Sequence, residues 1–301
     1  MKKLIVITGP TGVGKTAAAI KLAQRLQCDI INADSRQIYR GIPICTAAPT
    51  PEELAAVRHH FVAFKDLEET YSAAQFESDV LALLPSLWQQ GDYAVMCGGS
   101  MLYVDAVCRG IDQLPDISPE VRAAVKEKLQ REGLESLVEE LEQLDPQYAA
   151  TIDHKNTSRV CHGVEICRQA GVPYSTLRTG TAKPRDFSII KLALNIEREQ
   201  LFARINARVD HMIEMGLEQE ARSVFHLRHL NSLNTVGMKE MFAYFDGTMD
   251  RHTAIERMKK NTRVYAKKQL TWYRRDPSIT WVTPEAAVST ALSLLSPTLR
   301  R

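Results

Sequence analysis

The chain has 301 residues, of which 45% are hydrophobic and 25% are charged, and its formal net charge is +2. This composition is ordinary for a soluble globular protein with a buried core, and the overall charge does not by itself indicate a polyanionic partner. The N-terminus lacks the layout of a signal peptide and no apolar run approaches the roughly 18 residues that span a bilayer, so we expect a cytoplasmic protein with no membrane partner.

The first half of the chain alternates short apolar segments with amphipathic ones. Such short apolar segments are typical of parallel strands that are buried on both faces. The alternation predicts an α/β fold with a parallel-sheet core covered by helices. The predicted strands are residues 4–8, 29–33, 60–64, 93–97 and 189–196, and the predicted helices between them are residues 15–26, 72–90 and 101–109.

The pattern changes near residue 114, where helical periodicity begins. Ser118 is placed to cap a helix that starts with Pro119, and Gly133 is placed to break it. Residues 114–145 contain nine acidic and four basic side chains, so a small acidic helical insertion is predicted. We assign residues 1–113 to the first part of the core, 114–182 to the insertion, and 183–301 to the completion of the core and a helical C-terminal region.

The last long predicted helix, about residues 250–274, is strongly basic. Residues 251–275 contain nine Lys or Arg and one acid, Glu256. Lys259, Arg263 and Lys267 recur every four residues and share one face. Basic side chains interleaved with aromatic ones suit a nucleic-acid backbone, but a solvated basic face explains them equally well.

The segment "GPTGVGKT" follows the first strand and precedes the first helix. This is the context in which a G-x-x-x-x-G-K-T sequence forms a phosphate-binding loop, because backbone N–H groups and the helix N-terminus converge on the anion. Lys15 would reach the terminal phosphates and the Thr16 hydroxyl would bind Mg²⁺. The pattern identifies a diphosphate or polyphosphate rather than one particular nucleotide. The loop consists of Gly9, Pro10, Thr11, Gly12, Val13, Gly14, Lys15 and Thr16.

Two further segments follow strands that end beside this loop. Asp34 and Ser35 follow the second strand, where Asp34 can either accept a proton from a nucleophile or cap the next turn. The fourth strand ends in Gly98, Gly99 and Ser100 instead of the acidic residue expected of a P-loop ATPase. The two glycines allow close approach of a backbone or a flat ligand, although a simple tight turn would also use them.

Together these segments resemble the tRNA dimethylallyltransferases, also called isopentenyl-tRNA transferases. The resemblance is carried, in order along residues 4–282, by "GPTGVGKT", "DSRQIY", "YSAAQF", "GGSMLY", "SPEVR", "NTSR", "RINARVDHM", "NTVGMKE" and "TRVYAKKQLTW". It implies transfer of a dimethylallyl group from dimethylallyl diphosphate to N6 of the adenosine 3′ of the anticodon (adenosine-37), in tRNAs that read codons beginning with U. It also implies Mg²⁺ as cofactor and the tRNA anticodon stem-loop as partner, and we expect a monomer.

The resemblance also implies roles for residues. The loop would hold the donor diphosphate, Asp34 would receive the N6 proton, and Arg208 would be a second cation on the diphosphate. Lys15 and Thr16 would take part in catalysis, with Thr16 sharing in Mg²⁺ or phosphate contact. The tRNA-binding surface would comprise Asp34, Ser35, Arg36, Gln37, Ser100, Met101, Arg122, Ala123, Ser158, Arg159, Val160, Cys161, His162, Asn234, Thr235, Val236, Gly237, Met238 and Lys239.

The sequence departs from the family pattern at three positions. Ala48 stands where the family commonly has a lysine, His162 where it often has a second arginine, and Asn234 where some members have arginine. An RNA contact through His162 would be weaker and pH-dependent. The alternatives to prenyl transfer are a small-molecule kinase that binds ATP in the same loop and a non-catalytic RNA-binding protein.

Overall fold

The computed structural model describes residues 2–295. The chain forms two compact units, one made of Met1–Arg109 and Arg185–Arg301 and the other of Gly110–Pro184. The second unit begins slightly before and ends slightly after the insertion predicted from the sequence. Within the described part of the chain, every helix is too short or too polar to cross a membrane.

The first unit is built on a six-stranded parallel sheet, which confirms the predicted fold class. The strands are β1 (Lys3–Thr8), β2 (Ile30–Asn32), β3 (His59–His60), β4 (Tyr93–Cys97), β5 (Ser188–Leu194) and β6 (Ile279–Val282). Their order in the sheet is β3-β2-β4-β1-β5-β6. Alternate side chains of β1 enter two different cores, with Ile5 and Ile7 on one face and Leu4 and Val6 on the other. The sheet is therefore buried on both faces, as its apolar strands require.

Helices cover both faces of this sheet. Before the second unit they are α1 (Lys15–Leu26), α2 (Pro43–Thr46), α3 (Pro51–Ala56), α4 (Ala73–Leu87) and α5 (Met101–Arg109). The second unit contains α6 (Pro119–Leu144), α7 (Pro146–Ala149), α8 (Thr157–Ala170) and α9 (Tyr174–Leu177). The first unit then continues with α10 (Arg198–Glu214), α11 (Leu217–Ser223), 3₁₀ turns at Phe225–Leu227 and Asn231–Leu233, α12 (Met238–Phe245), α13 (Arg251–Tyr273) and α14 (Ala287–Leu295).

The second unit has its own hydrophobic core, made by α6 to α9. Ser118 caps α6 by accepting from the Val121 N–H, and Pro119 is its first residue, both as predicted. Gly133 breaks α6 with a φ of 83° and a ψ of 178°. Gly163 of α8 leaves room for a close contact, because a Cβ there would lie 2.8 Å from the Tyr148 ring.

Two predicted strands differ from the structure. The strand expected at residues 60–64 is reduced to His59–His60, because Phe61 and Ala63 take left-handed φ values of 63° and 47° that end the extended backbone. The strand expected at 189–196 ends at Leu194. The edge strand β6 was not predicted at all.

Candidate active site

The phosphate loop, residues 9–16, leaves β1 and enters α1 as the sequence predicts. Gly9, Gly12 and Gly14 have φ values of 133°, 83° and 105°, which only glycine adopts readily. At Gly9 a Cβ would also lie 2.6 Å from the Leu194 carbonyl oxygen of the neighbouring strand. The loop is therefore held close to β5, and any side chain at Gly9 would displace it.

Lys15 is a half-buried cation at the first residue of α1. Its Nζ donates to the carbonyl oxygens of Gly9 at 3.1 Å and Pro10 at 2.9 Å. Desolvation lowers the pKa of Lys15 to about 8, although the nearby Cys97 and Asp34 act in the opposite direction. Carbonyl oxygens neutralise none of its charge, so an anion in the loop would stabilise the protonated form.

Arg208 of α10 approaches the same loop. Its Nη2 donates to the Thr11 hydroxyl at 2.7 Å, and its buried Nε has no partner among residues 2–295. Burial lowers the pKa of Arg208, while the charge of Asp34 opposes that shift. An unpaired buried guanidinium N–H is costly unless a ligand accepts from it, so Arg208 has a donor available for an anion at the loop.

Asp34 caps a turn, which is one of its two predicted roles. Its Oδ1 accepts from the backbone N–H groups of Arg36 at 2.9 Å and Gln37 at 3.3 Å, so it caps the turn that follows β2. Its other carboxylate oxygen makes no hydrogen bond within residues 2–295. Next to it, the Ser35 N–H donates to the Ser100 hydroxyl at 2.8 Å, which joins this turn to the turn after β4. One oxygen of Asp34 thus fixes the carboxylate and the second is free to accept a proton.

The two glycines after β4 are explained by protein contacts. A Cβ on Gly98 would lie 2.1 Å from the Ala33 carbonyl oxygen, and one on Gly99 would lie 2.4 Å from the Gln269 side-chain nitrogen. The close approach is therefore to a backbone, as the sequence suggested, and to a buried side chain. Sequence reasoning assigned no role to Gln269.

A single cavity of about 530 Å³ in the first unit brings most of these groups together. Its walls carry the phosphate-loop residue Thr11, the cation Arg208 and the carboxylate Asp34. Of the predicted site it also includes Ser35, Arg36, Ser100, Asn234, Thr235, Val236 and Lys239. The other lining residues, which are outside the predicted site list, are Cys45, Thr46, Val209, Met212, Met258, Asn261, Thr262, Val264, Tyr265 and Lys268.

Two residues expected to contact RNA also make hydrogen bonds within the protein. The Arg36 guanidinium donates to three carbonyl oxygens in the segment 231–234, the shortest bond being 2.8 Å. The Gln37 amide donates to the carbonyls of Thr46 at 3.1 Å and Ala47 at 2.8 Å. Arg36 lines the cavity, and both side chains use part of their hydrogen-bonding capacity within the protein.

Burial also excludes two predicted RNA-contacting side chains. Val160 and Met238 are both 0% exposed and belong to hydrophobic cores, so neither side chain can contact RNA as expected. Gly237 is buried as well, at the start of α12. Met101, the first residue of α5, is only half-buried.

In the second unit the predicted RNA-binding residues lie on α6 and α8. Arg122, Ala123, Ser158, Arg159 and His162 are exposed, whereas Cys161 is half-buried. Desolvation of its ring and the charge of Arg122 lower the pKa of His162 below its usual 6.5. The imidazole is therefore neutral at physiological pH, and a charged contact between His162 and RNA would form only at a more acidic pH.

The basic face of α13 is partly occupied by α10. Lys259 forms ion pairs with Asp210 at 2.7 Å and Glu256 at 3.0 Å, and Arg263 donates to Asn206. Lys267 lies over the Phe202 ring, 5.5 Å from its centroid. The face predicted to be free therefore packs along a neighbouring helix at Lys259 and Arg263.

No group of three or more His, Cys, Asp or Glu side chains capable of holding a metal occurs within residues 2–295.

Comparisons with known proteins identify the family of the chain. The family model described as IPP transferase matches residues 37–276. A protein of Porphyromonas gingivalis named tRNA dimethylallyltransferase 2 is 52% identical over 293 residues, which is 97% of this chain and 98% of the relative. One of the same name from Parabacteroides distasonis is 50% identical over 295 residues, covering 97% and 99% of the two chains.

Solved structures show the same likeness in three dimensions. The crystal structure of the full-length tRNA isopentenylpyrophosphate transferase of Bacillus halodurans is similar with a TM-score of 0.72 and 34% identity, covering 98% of this chain and 96% of that one. A eukaryotic dimethylallyltransferase described as acting on tRNA gives a TM-score of 0.80 at 25% identity, covering 100% and 82%. The chain therefore belongs to the IPP transferase family.

Proposed function

We propose that this protein transfers a dimethylallyl group from dimethylallyl diphosphate to N6 of adenosine-37, 3′ of the anticodon, in tRNAs that read codons beginning with U. The proposal is supported by relatives named tRNA dimethylallyltransferase, whose sequences match nearly the whole chain. The observation that carries it is that Thr11, Arg208 and Asp34 line one cavity. An anion-binding wall and a carboxylate facing the same space suit a reaction in which a diphosphate leaves and a proton is removed.

In the reaction the N6–carbon bond forms while the bond between the allylic carbon and the diphosphate oxygen breaks. The adenine amine is a weak nucleophile because its lone pair is delocalised into the ring, so departure of the diphosphate must be assisted. Lys15, the loop N–H groups and Arg208 would stabilise the charge that grows on the leaving group. Each preorganised donor of this kind is worth about 10²–10³ in rate.

The proton released from N6 would go to Asp34. The carboxylate oxygen without a hydrogen-bond partner is available for it, while the other oxygen keeps the side chain fixed. General-base catalysis contributes about 10²–10⁴ in rate. The base must leave its stack to enter the cavity, which costs least in a single-stranded loop such as the anticodon loop.

The residues fit a magnesium ion bound with the donor. The Thr16 hydroxyl makes no hydrogen bond within residues 2–295, and Mg²⁺ is commonly held by one such protein oxygen, phosphate oxygens and water. Bound there, the ion would supply further positive charge to the leaving diphosphate. We further propose that the protein acts as a cytoplasmic monomer.

The proposal is tested with radiolabelled dimethylallyl diphosphate, Mg²⁺ and unmodified tRNA that reads a U-initial codon. The matched control is the same tRNA with guanosine in place of adenosine-37. We expect label in the first tRNA and none in the second. If neither tRNA is labelled and the protein instead transfers phosphate from ATP to a small acceptor, it is a kinase. If it binds tRNA but catalyses neither prenyl transfer nor phosphate transfer, it is a non-catalytic RNA-binding protein.

A further inference from the structure

Gln269 of α13 links two backbone segments of the site. Its Oε1 accepts from the Thr11 N–H at 2.8 Å, and its Nε2 donates to the Gly99 carbonyl oxygen, also at 2.8 Å. The residue is 1% exposed, so neither bond is shared with solvent. One amide therefore satisfies one backbone donor and one buried backbone acceptor at once.

Each segment held by Gln269 leads directly to a reacting group. Thr11 accepts from Arg208 through its hydroxyl, so its backbone and its side chain are fixed by two different helices. On the other side, Gly99 precedes Ser100, whose hydroxyl accepts from the Ser35 N–H beside Asp34. The amide thus joins the part of the site that would hold the leaving group to the part that carries the proton acceptor.

The chemistry of the position requires an amide. A carboxylate could accept from Thr11 but would face the Gly99 carbonyl oxygen without a proton to donate, and an apolar side chain would leave both groups unpaired. The absence of a side chain on Gly99 completes the fit, since a Cβ there would lie 2.4 Å from Nε2. The hydrogen bond between Gln269 and Gly99 therefore depends both on the amide and on the missing side chain of the glycine.

We propose that Gln269 is a positioning residue for prenyl transfer, which sets the distance between the phosphate loop and the Asp34 turn. This inference rests on the proposed function, because it assigns a role within that reaction. Gln269 itself does not contact the reacting atoms. It acts through Thr11 on the diphosphate side and through Gly99 on the nucleophile side.

The test compares the wild-type protein with Gln269→Glu and Gln269→Met in single-turnover prenyl transfer at saturating donor. We expect both variants to lose about 10²-fold in kcat, the scale of loss for misplacement by about 1 Å, with the Kd for tRNA unchanged. The Gln269→Glu variant adds a pH readout. As the pH falls its carboxyl group becomes protonated and donates to Gly99 again, so its deficit relative to wild type should shrink, while that of Gln269→Met should not.

Gln169→Met is the matched control. Gln169 of α8 also accepts from a backbone N–H, that of Ser118 at 2.9 Å, but it lies in the second unit. This variant should lose thermal stability without losing kcat. If Gln269→Met fails to fold, the pH dependence of Gln269→Glu still decides the matter.

Wild-type kcat in both Gln269 variants, or a deficit that follows the loss in Tm and is independent of pH, would overturn the inference alone. Absence of transfer by the wild-type protein would overturn the proposed function and this inference with it.

Discussion

The carboxylate of Asp34 divides its two oxygens between structure and chemistry. Because Oδ1 caps the turn through Arg36 and Gln37, replacement by alanine would damage the turn as well as remove the base. Asp34→Asn keeps an oxygen for the cap and abolishes the base. It is therefore the cleaner variant.

We expect Asp34→Asn to lower kcat by about 10²–10⁴ while tRNA affinity stays near that of the wild type. Single-turnover transfer and filter binding to tRNA measure the two quantities. Asp34→Ala should show the same loss in kcat. It should also lower the free energy of unfolding by about 1 kcal/mol, because the turn loses its cap. An Asp34→Asn variant with normal turnover and weak tRNA binding would show that Asp34 binds RNA and is not the base.

Lys15 should make donor binding depend on pH. Its pKa is lowered to about 8 by burial, so the free protein loses this charge as the pH rises through that value. Only the protonated form attracts a diphosphate, and binding should therefore weaken on the alkaline side. Isothermal titration with inorganic pyrophosphate should show a Kd that rises above about pH 8 and proton uptake on binding. Lys15→Met should bind weakly with no such pH dependence, and a wild-type Kd that is constant across this range would contradict the assignment.

Some site residues could be identified from the sequence and others could not, for a physical reason. The loop glycines, Lys15 and Asp34 lie in short local patterns whose chemistry follows from the strand before them. The partners of Arg36 are carbonyls in the segment 231–234, nearly 200 residues away, so nothing local distinguishes it from an RNA-binding arginine. Gln269 was missed for the same reason.

At the scale of the elements, α13 has both paired and free cations. Lys259 is held by Asp210 and Glu256, whereas Lys267 and Lys268 have no carboxylate partner within residues 2–295. Lys268 also lines the cavity. The two groups of lysines should therefore differ in what they contribute to RNA binding.

We expect Lys267→Ala and Lys268→Ala each to weaken binding to all tRNAs and to reduce the slope of log Kd against log salt by about 0.7–0.9. Lys259→Ala is the matched control and should leave the slope unchanged. Binding titrations over a range of salt concentrations provide the slopes. Equal slopes for all three variants and the wild type would show that this helix face is merely solvated.

The elements that the sequence predicted best are those with an unambiguous stop. The bounds of α1, β4 and α5 agree with the predictions because loop glycines or a strand–helix turn delimit them. The strand at 60–64 failed because Phe61 and Ala63 adopt left-handed φ without being glycine. The sequence does not predict β6, because a strand of four residues is too short to show the two-residue alternation of apolar and polar side chains.

At the scale of the whole molecule, the first unit consists of two chain segments separated in sequence by the second unit, and these two segments must pack together. Arg185, 8% exposed, pairs with Glu77, 7% exposed, at 2.6 Å. It also donates to the carbonyls of Ala106 and Val107 near the end of α5. The residue that resumes the first unit is thus attached to the helix that precedes the interruption.

We expect Arg185→Met to lower the free energy of unfolding by about 3–5 kcal/mol, because the buried Glu77 carboxylate loses its guanidinium. The double variant Arg185→Met with Glu77→Leu should regain much of this loss, since the carboxylate that lost its guanidinium is then removed as well. Urea unfolding measures both. A loss below about 1 kcal/mol in the single variant would show that the pair is no stronger than an exposed one.

The hydrogen bond between Thr11 and Gln269 joins residues 258 positions apart. During translation at about 5–20 residues per second, Gln269 is added some 10–50 s after Thr11. Throughout that interval the nascent chain already contains its whole phosphate loop but not the amide that fixes it. A chain that ends before residue 269 would therefore keep the loop sequence but lack the bond that holds it in register, so a complete site can exist only after Gln269 has been added.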